Sequence, residues 1–259
     1  MKTQTALLAA ALMSPLVTHA QAPSKPEVIA PASAVVPARQ RQQAMKSGVD
    51  LSRLSTSPGV HIVPLDDSPF AGPLAAEIRR DIQMQAEQGS YLASETRDTS
   101  FKAARRAPRS RLDQWLNKTY PSVESARPHL RYQPVSVSRT VLSTAALKEV
   151  YPSGKLDKGL WSGTTRTWLV AGLGEVELSE TEHKKSGTSL TLIREWLNAD
   201  VSGTPATLKT ARDGAGHALV SLAWVTDTTS FRLELRPIDA TALKTNEQAI
   251  LAMANDLGD

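Results

Sequence analysis

Ser230-Phe231-Arg232-Leu233-Glu234-Leu235-Arg236 decides the fold class. Phe231, Leu233 and Leu235 alternate with Arg232, Glu234 and Arg236, the period of two that belongs to a half-buried strand. Working upstream, His217–Thr226 and Thr204–Ala211 read as further strands, followed by Ser189–Asn198, Glu175–Glu182 and Thr165–Val170. Val176 and Leu178 mark one face of Glu175–Glu182, and Leu190, Leu192 and Trp196 mark one face of Ser189–Asn198. The connections (Lys184–Gly187, Ser202-Gly203, Asp213–Gly216, Asp227–Thr229) are short and rich in turn residues, which predicts antiparallel hairpins. Farther upstream, Gln133–Leu142 alternates through Val135 and Val137, and Thr144–Tyr151 reads as a short helix stopped by Pro152.

Downstream the period changes. Thr245-Asn246-Glu247-Gln248 has the pattern of a capping box, Ile250, Leu251, Ala254 and Leu257 form an apolar stripe, and Gly258 reads as the stop. The expected architecture over residues 129–259 is α+β, an antiparallel sheet of about six or seven strands with the C-terminal helix packed on one face.

The rest of the chain divides in three. Residues 1–22 have the tripartite form of a cleavable secretory signal: the positive Met1-Lys2-Thr3, an apolar run from Ala6 to Leu12, and the A-x-A site Ala20-Gln21-Ala22. Cleavage is expected after Ala22, with Ala20 the near alternative. The apolar run is shorter than the ~20 residues needed to span a bilayer. Residues 23–70 are Pro/Ala-rich and read as a disordered or irregular linker, with Pro23, Pro26, Pro31 and Pro37 recurring without periodicity. Residues 71–128 form a helical region with a basic segment: Leu74–Leu92 carries Ile78 and Ile82 at helical spacing, and Arg109–Thr119 carries Leu112, Trp115 and Leu116 on one face.

Composition narrows the chemistry. The chain has 259 residues and no cysteine, so disulfides, thiol catalysis and thiolate metal sites are excluded. The formal charge of +4 is an N-terminal property: residues 23–130 hold 15 Lys and Arg against 11 Asp and Glu, and residues 131–259 hold 14 against 15. Arg105, Arg106 and Arg109 lie at the centre of the basic run and are interface candidates, though a solvated connector is the plainer reading. No aromatics interleave with the arginines, so no nucleic-acid partner is expected.

No P-loop, G-x-S-x-G or S-x-x-K occurs. Gly172-Leu173-Gly174 is half a dinucleotide fingerprint without its strand-helix context, and a hairpin turn accounts for it. His61, His129, His183 and His217 stand apart, and Asp66-Asp67 lacks the calcium-loop pattern, so neither a metal nor a cofactor is expected. Glu175 and Glu177 share one strand face and, with His183, are the acid/base candidates; a solvated edge strand is the plainer reading. Trp168, Trp196 and Trp224 lie in alternating strands and belong to the core, which leaves Trp161 as the exposed interface candidate.

Val201-Ser202-Gly203-Thr204-Pro205-Ala206-Thr207-Leu208, Leu222-Ala223-Trp224, Phe231-Arg232-Leu233 and the closing helix together resemble extracytoplasmic sensor-like modules of anti-sigma and regulatory proteins. The likeness covers residues of about 200–258 and implies a binding or sensing module, with no catalytic residues to transfer. The sequence-based expectation is an exported, periplasmic or secreted, non-enzymatic protein that binds another protein or an envelope component, an immunity or inhibitor protein being one version. An envelope hydrolase and a structural envelope component are the alternatives.

Overall fold

A computed structural model describes residues 38–55, 57–93, 118–185 and 187–258. The signal segment 1–22, Arg105, Arg106, Arg109 and all but the last two residues of the expected helix Arg109–Thr119 lie outside them.

The fold is α+β, a mostly antiparallel eight-stranded sheet with a C-terminal helix. Its strands are β2 (Tyr91–Leu92), β3 (Ala146–Asp157), β4 (Leu160–Val170), β5 (Gly174–Glu182), β7 (Ala199–Val201), β8 (Thr204–Arg212), β9 (Ala218–Val225) and β10 (Thr229–Pro237), preceded in the chain by β1 (Gly59–Val63) and interrupted by β6 (Ser189–Ile193). The order across the sheet is β2-β8-β9-β10-β5-β4-β3, with β7 also on β8. β1 and β6 pair in parallel as a separate ribbon. Among the described residues four helices complete it: α1 (Ala38–Lys46), α2 (Gly72–Gln88), α3 (Val123–Ala126) and α4 (Leu243–Asn255).

The register assigns the faces. Trp168, Val176, Leu178, Leu222, Trp224, Phe231, Leu233 and Leu235 are buried on one side, where α4 brings Ile250, Met253 and Ala254 against them. Each such fully buried side chain contributes about 1.5–3 kcal/mol. Val135, Val137 and Leu142, from a strap running over residues 130–145, extend this cover. A second cluster, with Val49, Leu65, Phe70, Ile78, Tyr91, Ile193 and Trp196, joins α2 and β6 to the β8 edge of the sheet.

Several expected elements take another form. Thr144–Tyr151 is not a helix: Thr144 and Ala145 follow the single 3-10 turn Val141–Ser143, and Ala146 onward belongs to β3. Nine residue pairs with β4 outweigh the local helical preference, and Pro152 is tolerated because β3 lies at the sheet edge. Gln133–Leu142 is not a strand but the irregular strap, since Pro134 lacks an N–H and the Val135 N–H is given to the Glu180 carboxylate at 2.8 Å. Ser189–Asn198 breaks into β6 and a 3-10 turn that buries Trp196. The C-terminal helix starts at Leu243, two residues before the expected capping box, after the Asp239 carboxylate has closed a turn on the Thr241 N–H at 2.8 Å. Residues 49–70, read as linker, carry β1 and bury Val49, Leu65 and Phe70. The expected strand Thr165–Val170 begins five residues earlier, as β4 from Leu160: Lys158-Gly159, with φ of 50° and 81°, is a two-residue turn whose twist suits a hairpin.

The outer edge of β8 is closed by side chains as well as strands. Between β7 and β2, the Gln85 amide donates to Leu208 O at 2.8 Å and accepts from Thr210 N at 3.0 Å, while Asn198 bonds both backbone groups of Leu208. These amides stand in for a missing neighbour strand. Gln85→Ala is expected to cost about 1–3 kcal/mol by leaving the Thr210 N–H unpaired, while exposed Gln88→Ala on the same helix costs under about 0.5 kcal/mol. Urea unfolding of the two variants measures the difference.

On the covered face one ion pair is fully enclosed. Arg166 Nη2 meets Glu180 Oε1 at 2.8 Å, with the two side chains 2% and 1% exposed. Removing one partner strands the other, so Arg166→Met is expected to destabilise by about 3–5 kcal/mol, and Arg166→Met with Glu180→Leu by much less. Thermal unfolding of the single and double variants is the check.

Candidate functional site on the open sheet face

The face of the sheet opposite α4 carries mostly polar side chains. Across β8, β9, β10, β5, β4 and β3 one row reads Lys209, Ser221, Glu234, Glu177, Thr167 and Glu149, each opposite the next. The adjacent row on one side holds Arg236, Glu175 and Leu169; on the other it holds Arg232, Ser179 and Thr165. Alternation along each strand brings these residues to one face, and the closing pairing of β5 with β10 sets Glu177 directly against Glu234.

The charges are arranged around the centre. Glu175 is held by Lys148 Nζ at 3.6 Å and by Arg236 Nη1 at 3.5 Å. Glu234 is held by Arg236 Nη2 at 3.5 Å and by Arg232 Nη1 at 3.8 Å. Among the described residues Glu177 forms neither an ion pair nor a hydrogen bond. Desolvation, reinforced by the negative charge of Glu234, lifts its carboxyl from 4.5 to about 7, against the pull of Arg236 and Arg232. Beside it in register, Thr167 is 5% exposed and its hydroxyl has no hydrogen-bond partner. In the next row the Thr165 and Ser179 hydroxyls satisfy each other at 2.9 Å.

Of the residues singled out from the sequence, the structure brings Glu175 and Glu177 to this face and separates His183 from them. His183 lies past the end of β5, buried, with Nε2 3.0 Å from Thr226 O. Six residues of strand put it ~20 Å from Glu177. The strand that carries the glutamates is interior to the sheet, between β10 and β4, so the edge-strand reading is corrected. Glu180 and Glu182 point to the covered face, where Glu182 meets Arg131 at 3.1 Å. Trp161 is half-buried on β4, and its carbonyl receives the Arg131 N–H at 3.0 Å.

The residue that sequence reading missed is Glu234. It was visible as an outward position of the deciding strand, but nothing local says which strand lies beside it. A second omission is Asp213, whose carboxylate takes His217 Nδ1 at 2.6 Å and the Ala215 and His217 N–H groups. Desolvation opposes these contacts, yet they hold the Asp213 carboxyl below its usual range. The D-x-x-x-H spacing of a β8–β9 turn was the available signal, and the contacts are those of a closed turn. Among the described residues, no group of three or more His, Cys, Asp or Glu is placed to hold a metal ion.

Because folding raises the Glu177 carboxyl, its contribution to stability is complete below pH ~4.5 and is lost as pH rises through about 7. Glu177→Gln is therefore expected to leave stability unchanged at pH 4 and to raise it at pH 8 by about 1–3 kcal/mol. Denaturant titrations at the two pH values test this; equal effects at both would contradict it.

No protein-family model matches the chain, and no curated protein matches it. Among solved structures, a GTP-binding regulator from Thermotoga maritima is similar at 12% identity, over 53% of this chain and 90% of that one, with a TM-score of 0.24. A likeness at that level carries no argument about function.

Proposed function

We propose that the protein is an exported, non-enzymatic binding protein that works in the periplasm or medium and takes a protein or envelope component on the open face of its sheet. The observation that carries this reading is the cross-strand row through Glu234, Glu177 and Thr167, a built polar row on the side of the sheet opposite α4. Half-buried charges of both signs suit a surface that selects by electrostatic fit, since a wrong pairing of like charges costs several kcal/mol. The tripartite leader supports export. Among the described residues no helix is long and apolar enough to cross a membrane.

A second reading, an envelope hydrolase, draws on Glu177 alone. A carboxyl raised to about 7 beside a second carboxyl is the arrangement a general acid needs. His183 stands too far away to join it.

The binding reading is tested by affinity capture of the mature protein from its own periplasm, with Arg232→Glu and Glu234→Lys variants alongside. A stoichiometric complex that both reversals weaken by about tenfold or more supports the open face as the binding surface. A complex indifferent to both places binding elsewhere. Loss of a hydrolytic activity in Glu177→Gln, with capture silent, favours the second reading. An intact mass beginning at Pro23, or at Gln21, confirms processing; one beginning at Met1 removes the export claim.

A further inference from the structure

Among the described residues, the ribbon of β1 and β6 leaves the outer edge of β1 bare. Gly59 donates its N–H to Thr188 O at 3.2 Å, and the parallel register then gives Gly59, His61 and Val63 the bonds to β6. Val60 and Ile62 turn their N–H and C=O groups the other way, where among the described residues neither a third strand nor a hydrogen bond meets them. Edge strands are ordinarily protected by a lysine or other charge, a proline or a bulge. β1 reads Gly59-Val60-His61-Ile62-Val63, with no Asp, Glu, Lys, Arg or Pro and an unbroken register. Its side chains Val60 and Ile62 are 38% and 43% exposed.

From this geometry we infer that β1 docks antiparallel on β1 of a second copy of this chain, about a two-fold axis at His61. The register and the charge of the strand both select this occupant. Turned about His61, Val60 of each copy lies opposite Ile62 of the other. The outward backbone groups of β1 belong to these two residues, so each such pair exchanges both its hydrogen bonds, and the axis falls on the non-bonded pair between them. Pro58 and Pro64, which have no N–H to give, flank the strand and fall opposite each other, so the pairing ends where the donors end. Like charges directly opposite would oppose self-pairing, and β1 carries no carboxylate, ammonium or guanidinium to meet its own copy.

The side chains complete the match. Within the ribbon Val60 stands beside Leu190 and Ile62 beside Leu192. Joining two ribbons continues each pair into the other pair of the second copy, so a row runs Leu190-Val60-Ile62-Leu192 across the joined strands and is apolar throughout. The two-fold makes the contact isologous, and it closes at a dimer. The pairing uses no group of the polar row on the main sheet, so it goes beyond the binding reading above without depending on it.

The test is sedimentation equilibrium of the mature protein over a wide range of concentration, joined to cross-linking through single introduced cysteines in a chain that has none of its own. The parent is expected to show a monomer–dimer equilibrium, weakened about tenfold or more by Ile62→Lys and by Val60→Lys. Both variants should keep the parent's circular dichroism and thermal unfolding, since the side chains are exposed and neither backbone serves β6. His61→Cys should form a disulfide-linked dimer on mild oxidation with diamide, because Cα atoms of a non-bonded antiparallel pair lie about 4.5 Å apart, within disulfide reach. Gln88→Cys, exposed on α2, should link only at the rate of random collision, and adding Ile62→Lys to His61→Cys should slow linkage to that rate. The inference is overturned if the protein is monomeric at every concentration, if both lysine variants dimerise as the parent does, or if His61→Cys links no faster than Gln88→Cys. A monomer whose captured partner is released by Ile62→Lys gives the edge to a strand of that other protein and likewise overturns self-pairing. Should the lysine variants fold poorly, Ile62→Thr keeps the strand preference while interrupting the apolar row, and should weaken the dimer several-fold.

Discussion

The Glu180 carboxylate is the point at which the sheet and its cover are joined. One oxygen takes Arg166 Nη2 across the β4–β5 pair at 2.8 Å, and the other takes the Val135 N–H of the strap at 2.8 Å. The Arg166 guanidinium also lies 5.4 Å over the Trp168 ring, where the apolar core ends. α4 is too short to roof the whole face, and this ionic joint seals the part it does not reach. Desolvation holds the Glu180 carboxyl above its ordinary range even with Arg166 and the Val135 N–H drawing it down. The pair therefore adds little net stability and acts chiefly by allowing only one seating of the strap.

Covering one side in this way determines the other. A sheet buried on both faces would read as continuous apolar strands, whereas β5 and β10 alternate strictly. Their second face is left to polar side chains, and these are mostly half-buried. That intermediate exposure is what separates Glu177 from an ordinary surface glutamate. In water its repulsion from Glu234 would be screened; here the two carboxylates share one poorly hydrated row, and the arginines are divided among the neighbours.

Much of the sheet was legible because its signals are local. β10 shows its alternation in seven residues, Ser202-Gly203 and Gly172-Leu173-Gly174 mark turns by their glycines, and the stripe of Ile250 and Ala254 marks α4. What failed depended on partners distant in the chain. Ala145-Ala146-Leu147 looks helical until β4 lies beside it, and Gln133–Leu142 looks like a strand until the Glu180 carboxylate takes the N–H that a ladder would use. The candidate site was half legible for the same reason. Glu175 and Glu177 sit two apart on one strand, so their common face follows from the pleat. Glu234 is brought to Glu177 by a pairing that skips four intervening strands, and no turn between them announces it.

The position of Glu177 bears on what the face is for. A neutral glutamine would fit the same space and spare the fold the desolvation of a carboxylate. Thr167 presents the same puzzle, since a valine would fill its volume without leaving a buried hydroxyl unpaired. Two adjacent positions thus each carry a group that weakens the isolated fold, whereas Thr165 with Ser179 and Gln85 with Thr210 are satisfied. Local violations of this kind concentrate where a surface is used. On the covered face the carboxylates of Glu180 and Glu182 each have a cation and an N–H within reach, whereas among the described residues Glu177 on the other face has no ion pair.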